Sequence, residues 1–190
     1  MSPLYCALVH HPVRARDGSV VSTAVTNLDV HDLARLSRTY GLRRYFVVTP
    51  ITAQHALVER ILEHWRTGAG KKRIPERGEA LGLTEPIASI GEAMDRIAQI
   101  EGQPPRVLAT AARALPGAPL LQHRDEAETL RSTTVPTLIL FGTGHGLAQS
   151  VIDEADGVLA PIRPKADYNH LSVRTAAAIL LDRLLGDSQP

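Results

Sequence analysis

The residues best suited to chemistry lie late in the chain. The run LILFGTGHGL (138–147) carries an apolar stretch straight into a turn containing Gly142, Gly144 and Gly146, with Thr143 and Leu147 beside them. Glycines at that spacing let a ligand approach the backbone and leave peptide N–H groups free to bind it. An ordinary tight strand-to-helix turn is the plainer alternative. A second segment, VLAPIRPKADYNHLSVRTAAAILLDRL (158–184), joins a short strand to a polar loop and then to a helix. Ser172 at the helix start reads first as an N-cap. The small residues Ala176, Ala177 and Ala178 also let a flat ligand or another backbone pack closely, and Tyr168, Asn169 and His170 offer hydrogen bonds. Two ligand-ready loops in the same third of an α/β chain point to one pocket beyond the carboxyl ends of parallel strands.

Several other chemistries fail on spacing. The glycines run G-x-G-x-G, not G-x-G-x-x-G, and come late in the chain, which argues against a nicotinamide-binding turn without removing an NAD-dependent enzyme as a rival. GAGKK around Gly70 looks like part of a phosphate loop, but it follows a helical segment and Lys71 is followed by Lys72. No G-x-S-x-G turn supplies a serine nucleophile. The histidine pair His10 and His11 has no H-E-x-x-H or clustered carboxylates around it, so no metal site is expected. Cys6 is the one cysteine and sits in an apolar run, which reads as a buried thiol.

The elements that must position these loops alternate along the chain. Strands are expected at Leu4 to His10, Tyr45 to Thr49, Arg106 to Ala111, Thr137 to Gly142 and Val158 to Pro161. Helical spacing marks Asp29 to Tyr40, closed by Gly41, and Thr52 to Thr67 with Leu57, Ile61 and Trp65 on one face. It also marks Ser89 to Glu101 with Ala93, Ile97 and Ile100, and Ser172 to Leu185, stopped by Gly186. Lys71, Lys72, Arg73 and Arg77 fall in a polar connection expected to be a loop. The pattern predicts one α/β domain over residues 1–190, with a mostly parallel sheet and helices on both faces.

With 44% hydrophobic residues the chain can fill a core of that size. Aromatics at 4% argue against a stacking platform for single strands, and a net charge of +1 gives no case for a polyanion partner from the total alone. Any RNA contact must come from placed charges such as Arg14, Arg16, Lys71, Lys72, Arg73, Arg163 and Lys165, which could equally be solvated. No apolar run reaches the length of a membrane span and the N-terminus lacks a basic-then-apolar leader, so a cytoplasmic protein is expected.

Three motifs in order resemble those of the SPOUT methyltransferases over nearly the whole length. They are the Gly142 to Leu147 turn, the strand end Ala160, Pro161 and Ile162 followed by HLSVRTAAAILL, and NLDVHDLARLSRTYGL with Asn27 and Arg35. The last is similar to the motif of the ribose 2′-O-methylating branch, and the chain is identified as a member of a bacterial SPOUT subfamily of RNA methyltransferases. The resemblance implies a C-terminal deep trefoil knot, a homodimer packed beside it, and S-adenosyl-L-methionine as cofactor with S-adenosyl-L-homocysteine as product. The cofactor would be held by Thr110, Ala111, Gly142, Thr143, Gly144, Gly146, Leu147, Leu159, Ala160, Ile162, His170, Leu171, Ser172 and Ala177.

The resemblance further implies RNA as partner, tRNA or rRNA, and neither DNA nor a membrane. Arg35 is the first catalytic candidate, as a guanidinium that could clamp phosphate, with an ion pair to Asp32 as its plainer role. Asn27 could orient the target nucleotide or cap the first helix, and His170 or Asp167 could accept a proton or only bond within the loop. The family glutamate of the glycine turn is absent, with Gly144 and His145 there instead. His170 stands where the family has asparagine, and Asn27 to Arg35 is about two residues longer than usual. These departures leave the methylated atom open between a ribose hydroxyl and a base nitrogen. A knotted RNA-binding protein without catalysis keeps the same features.

Overall fold

The computed structural model describes residues 1–115, 119–163 and 168–186. Seven parallel strands form one sheet in the order β5-β4-β1-β8-β6-β9-β7. They are β1 (Leu4–Val9), β4 (Arg44–Val48), β5 (Thr84–Ile87), β6 (Arg106–Thr110), β7 (Leu120–Leu121), β8 (Thr137–Gly142) and β9 (Gly157–Leu159). β1 is buried along its whole length and pairs with β4 and β8 on its two sides, as its unbroken apolar run requires of a central parallel strand. A small hairpin, β2 (Val13–Arg14) with β3 (Val20–Val21), stands beyond the carboxyl end of β1.

The pleat sends alternate residues to two cores. Leu4, Cys6 and Leu8 join the cluster covered by α1 (Asn27–Thr39), α2 (Thr52–Arg66), α4 (Pro75–Leu81), α6 (His123–Ser132) and α8 (Val173–Leu185). Tyr5, Ala7 and Val9 join the cluster under α5 (Ile90–Glu101) and α7 (Gln149–Asp153). The expected α/β class with a parallel sheet between helical layers is therefore present, and the expected strands lie within one or two residues of those observed. Ser172 caps α8, its hydroxyl accepting from Thr175 N–H at 3.2 Å.

Three expectations need correction. The polar connection after residue 68 is not a loop but forms α3 (Ala69–Arg73), α4 and β5. Pro75 starts α4 where no intrahelical N–H is needed, while Ala80 and Leu81 are buried and the helix packs on α1 and α2. Pro86 is tolerated in β5 because that strand is the sheet's edge. In α2 the inward residues are Val58 and Leu62, both fully buried, whereas Leu57 is 42% exposed. Ile61 and Trp65 sit at the border, with the Arg77 guanidinium 5.1 Å over the indole. Ile100, in the last turn of α5, is 40% exposed, because only Ala93 and Ile97 of its stripe reach the core before Gly102 ends the helix at φ 74°.

Candidate active site

The carboxyl ends of β1, β8 and β6 open into a cavity of about 1010 Å³. One wall is the glycine turn after β8. A Cβ on Gly142 would lie 2.6 Å from Leu147 N, so the chain doubles back too tightly for any side chain. Gly144 (φ 60°) and Gly146 (φ 101°) hold left-handed conformations that favour glycine. The turn is fastened to the hairpin: His145 N–H donates to Arg14 O at 3.0 Å, and Arg14 N–H donates to Gly146 O at 2.9 Å. Thr143 N–H donates to Val9 O and Gly146 N–H to Thr143 O. Among the described residues, the N–H groups of Gly144 and Leu147 make no hydrogen bond. The turn thus keeps two donors for a ligand, fewer than its glycine content suggests.

The opposite wall is built by the residues leading into α8. His170, Leu171 and Ser172 line the cavity with Ile162, and Ala176 faces it from the first turns of the helix. Asn169 fixes this loop, its Nδ2 donating to Ala112 O at 3.1 Å and to Ile162 O at 3.0 Å. The floor includes Thr110, whose hydroxyl donates to Leu140 O at 2.9 Å, and Ala111.

Of the expected cofactor residues, Thr110, Ala111, Gly142, Thr143, Gly144, Gly146, Leu147, Ile162, His170, Leu171 and Ser172 come together on the cavity wall. Three lie behind it. Leu159 and Ala160 are buried beneath, and Ala160 O accepts from His123 Nε2 at 2.6 Å. Ala177 is fully buried in the core, since one helical step from Ala176 turns its Cβ away from the cavity.

Asn27 and Arg35 do not line this cavity. Thr26 caps α1, its hydroxyl accepting from Asp29 N–H at 3.2 Å, so Asn27 is an exposed first-turn residue rather than the cap. Arg35 is exposed and borders a separate groove of about 280 Å³ with Arg38, Glu76 and Arg77. Asp32 pairs with Arg174 on α8 at 2.9 Å and not with Arg35. Lys165 and Asp167 lie outside the described residues.

Residues outside the expected cofactor and catalytic set complete the wall. Asp29, 8% exposed, is held by Arg174 Nε at 3.3 Å and accepts from the Thr26 hydroxyl at 2.6 Å. Its position two residues after Asn27 was the available signal, because it shortens the spacing to Arg35 by the amount that looked anomalous. His10 is fully buried, and Arg14, Arg16 and Arg113 bring positive charge to the rim. Burial pushes the His10 imidazole down to about 4, against a smaller opposing pull from the Asp29 carboxylate. Among the described residues, no three His, Cys, Asp or Glu side chains converge as a metal site would need.

This arrangement is an α/β ligand site of the kind in which a glycine turn and a helix entry grip a small molecule at the strand ends. Solved structures share the fold. TrmJ from Z. mobilis superposes with a TM-score of 0.61 at 16% identity, covering all of this chain and 72% of that one. The SpoU methyltransferase AviRb from Streptomyces viridochromogenes, solved in complex with AdoMet, gives 0.55 at 15% identity, over 97% and 59% of the two chains. The chain therefore shares the fold of these solved methyltransferase structures.

A sequence model of the SAM-dependent RNA methyltransferase family matches residues 3–186, and the chain belongs to that family of S-adenosyl-L-methionine-dependent enzymes. A protein of Oleidesulfovibrio alaskensis named tRNA (guanine-N(1)-)-methyltransferase is 48% identical over 185 residues, covering 97% of this chain. This chain spans only 42% of that relative's length. An uncharacterized protein of Aquifex aeolicus is 35% identical over 181 residues and is covered to 87% of its length.

Proposed function

We propose that the protein transfers a methyl group from S-adenosyl-L-methionine to RNA, tRNA or rRNA, at the cavity between the glycine turn and the entry to α8, leaving S-adenosyl-L-homocysteine. The observation that carries this is the convergence of the family's three motif segments on one cavity whose volume suits a nucleoside-sized ligand with space beside it. The wall fits the cofactor's chemistry. The bare N–H groups of Gly144 and Leu147 suit its acceptor atoms, Ile162, Leu171 and Ala176 offer apolar cover for a flat base, and Thr110 and Ser172 add hydroxyls. When bound, the cofactor supplies an electrophilic methyl carbon on a positively charged sulfur. The chain's task is then to orient the nucleophile, exclude water and receive a proton.

The acceptor is a ribose hydroxyl or a base nitrogen. The name guanine-N(1) belongs to a relative more than twice this length, and either part of that relative could carry the activity. Arg14, Arg16 and Arg113 at the rim are placed to meet phosphates. The SPOUT reading includes a C-terminal knot, supported by Asn169 tying the loop before α8 to the strand-end residue Ala112, and by the packing of α8 on both α1 and α6. It also includes a homodimer: Arg35 lies off its own cavity, so a guanidinium at the reacting centre calls for a second copy. A single domain over residues 1–190 is supported by one sheet that uses strands from both halves of the chain. A cytoplasmic location and the lack of a DNA or membrane partner belong to this reading; among the described residues no helix is long and apolar enough to cross a membrane.

The test is transfer of a tritiated methyl group from S-adenosyl-L-methionine to tRNA and rRNA taken from cells lacking the protein, followed by nucleoside analysis. Incorporation into one nucleoside supports the reading and identifies the atom. Cofactor binding without incorporation into either RNA would favour a knotted RNA-binding protein.

A further inference from the structure

The cavity wall contains a buried ring nitrogen that none of the described residues satisfies. His10 follows β1, is fully buried and lines the cavity. Its Nε2 has no hydrogen-bond partner among the described residues. Buried polar atoms are rarely left so, and where one borders a ligand cavity a role there is the natural explanation.

The other ring nitrogen settles the tautomer. Val9 O can only accept, and Thr143 Oγ1 donates to it at 3.0 Å. With that proton spent, Thr143 Oγ1 must accept from the Thr23 hydroxyl at 2.5 Å. Thr23 Oγ1 must then accept from His10 Nδ1, 3.0 Å away. The chain of donors runs one way, from His10 through Thr23 and Thr143 to Val9. Nδ1 therefore carries the proton, and Nε2 presents a lone pair.

We infer that His10 is a catalytic residue whose Nε2 takes the proton released by the RNA nucleophile during methyl transfer. This rests on the proposed function. A lone pair of the nucleophile's oxygen or nitrogen bonds to the methyl carbon, the carbon–sulfur pair returns to sulfur to leave a neutral thioether, and the nucleophile's hydrogen passes as a proton to Nε2 and later to water. Atoms and charge balance, and no further reactant is needed. A nucleophile becomes far more acidic as it acquires the methyl group, so a weak base is sufficient. Burial keeps the ring neutral and ready to accept at ordinary pH. The imidazolium formed is stabilised by Asp29, whose carboxylate is anchored by Arg174. Because Thr143 belongs to the glycine turn, the same loop that grips the cofactor fixes which nitrogen is bare.

The experiment combines three measurements on wild type and His10→Asn, which keeps an N–H at the Nδ1 position to donate to Thr23 and removes the Nε2 lone pair. Long-range proton–nitrogen correlation spectra of histidine-labelled protein should show Nδ1 protonated and Nε2 bare. S-adenosyl-L-homocysteine titration should give affinities within about 3-fold of each other, while single-turnover methylation of tRNA and rRNA slows by about 100-fold or more in the variant. A protonated Nε2 in the wild type, or a variant rate within about 2-fold of wild type, overturns the inference while leaving cofactor binding standing. Failure of wild type to bind S-adenosyl-L-homocysteine overturns the cofactor site and the inference together.

Discussion

Lowering the pH should destabilise this protein through His10 well before its carboxylates titrate, and the size of the effect follows from burial. The imidazole is fully buried and its pKa falls from the ordinary 6.5 to about 4, chiefly by desolvation. The unfolded chain therefore binds a proton that the folded chain refuses, so stability is complete above about pH 6.5 and declines as pH falls toward about 4. At 1.36 kcal/mol per unit, a depression of about 2.5 units amounts to about 3 kcal/mol across that window. Urea unfolding of wild type and His10→Asn between about pH 7.5 and 4.5 isolates the term, because His31 and His123, also lowered mainly by burial, contribute equally to both proteins. The difference in unfolding free energy should shrink by about 2.5 kcal/mol over that range, most of the full effect. A difference that stays flat would mean that His10 is protonated or solvated in the fold, and the reasoning about its buried neutral ring would fail.

Other consequences are equally open to measurement. Arg106 binds the nearly buried Glu126 through two hydrogen bonds of 2.6 and 2.9 Å, so Arg106→Ala, which strands that carboxylate, should cost about 3 kcal/mol in urea unfolding; a loss under about 1 kcal/mol would contradict this. Gly142→Ala forces a Cβ to within 2.6 Å of Leu147 N, and the displaced turn should weaken S-adenosyl-L-homocysteine binding at least about 10-fold by calorimetry, whereas unchanged affinity would separate the turn from the site. If Arg35 serves the partner's cavity, refolding inactive Arg35→Ala chains with inactive Ala176→Trp chains should restore about a quarter of wild-type activity, since half the dimers are mixed and each has one intact site. No recovery from verified mixed dimers would place Arg35 elsewhere.

The sequence discloses the framework better than the wall of the site. Unbroken apolar runs such as Leu4 to Val9 and Thr137 to Gly142 mark buried parallel strands, and the glycine turn and Ser172 cap announce themselves through backbone requirements that few residues meet. Helix α6 escapes because HRDEAETLRS is mostly polar and buries only Glu126, Ala127 and Leu130, with the glutamate made tolerable by Arg106 from a distant strand. The choice between Asn27 and Asp29 needed the helix start: with Thr26 as cap, Asp29 turns toward Arg174 and the cavity while Asn27 faces solvent. His10 looked unremarkable beside His11 because its meaning depends on Thr23, 13 positions from it, and on Thr143, a further 120 positions along the chain. Local periodicity carries no trace of such contacts.

The most direct test of the account is calorimetric titration of S-adenosyl-L-homocysteine into wild type and Ala176→Trp. Ala176 faces the cavity from α8 at a helical position where a larger side chain brings no backbone strain. One molecule bound per wild-type chain, with binding lost in a variant that keeps its thermal unfolding temperature, is the predicted result. Equal binding to both proteins, or none to the wild type, would contradict the placement of the cofactor between the glycine turn and α8.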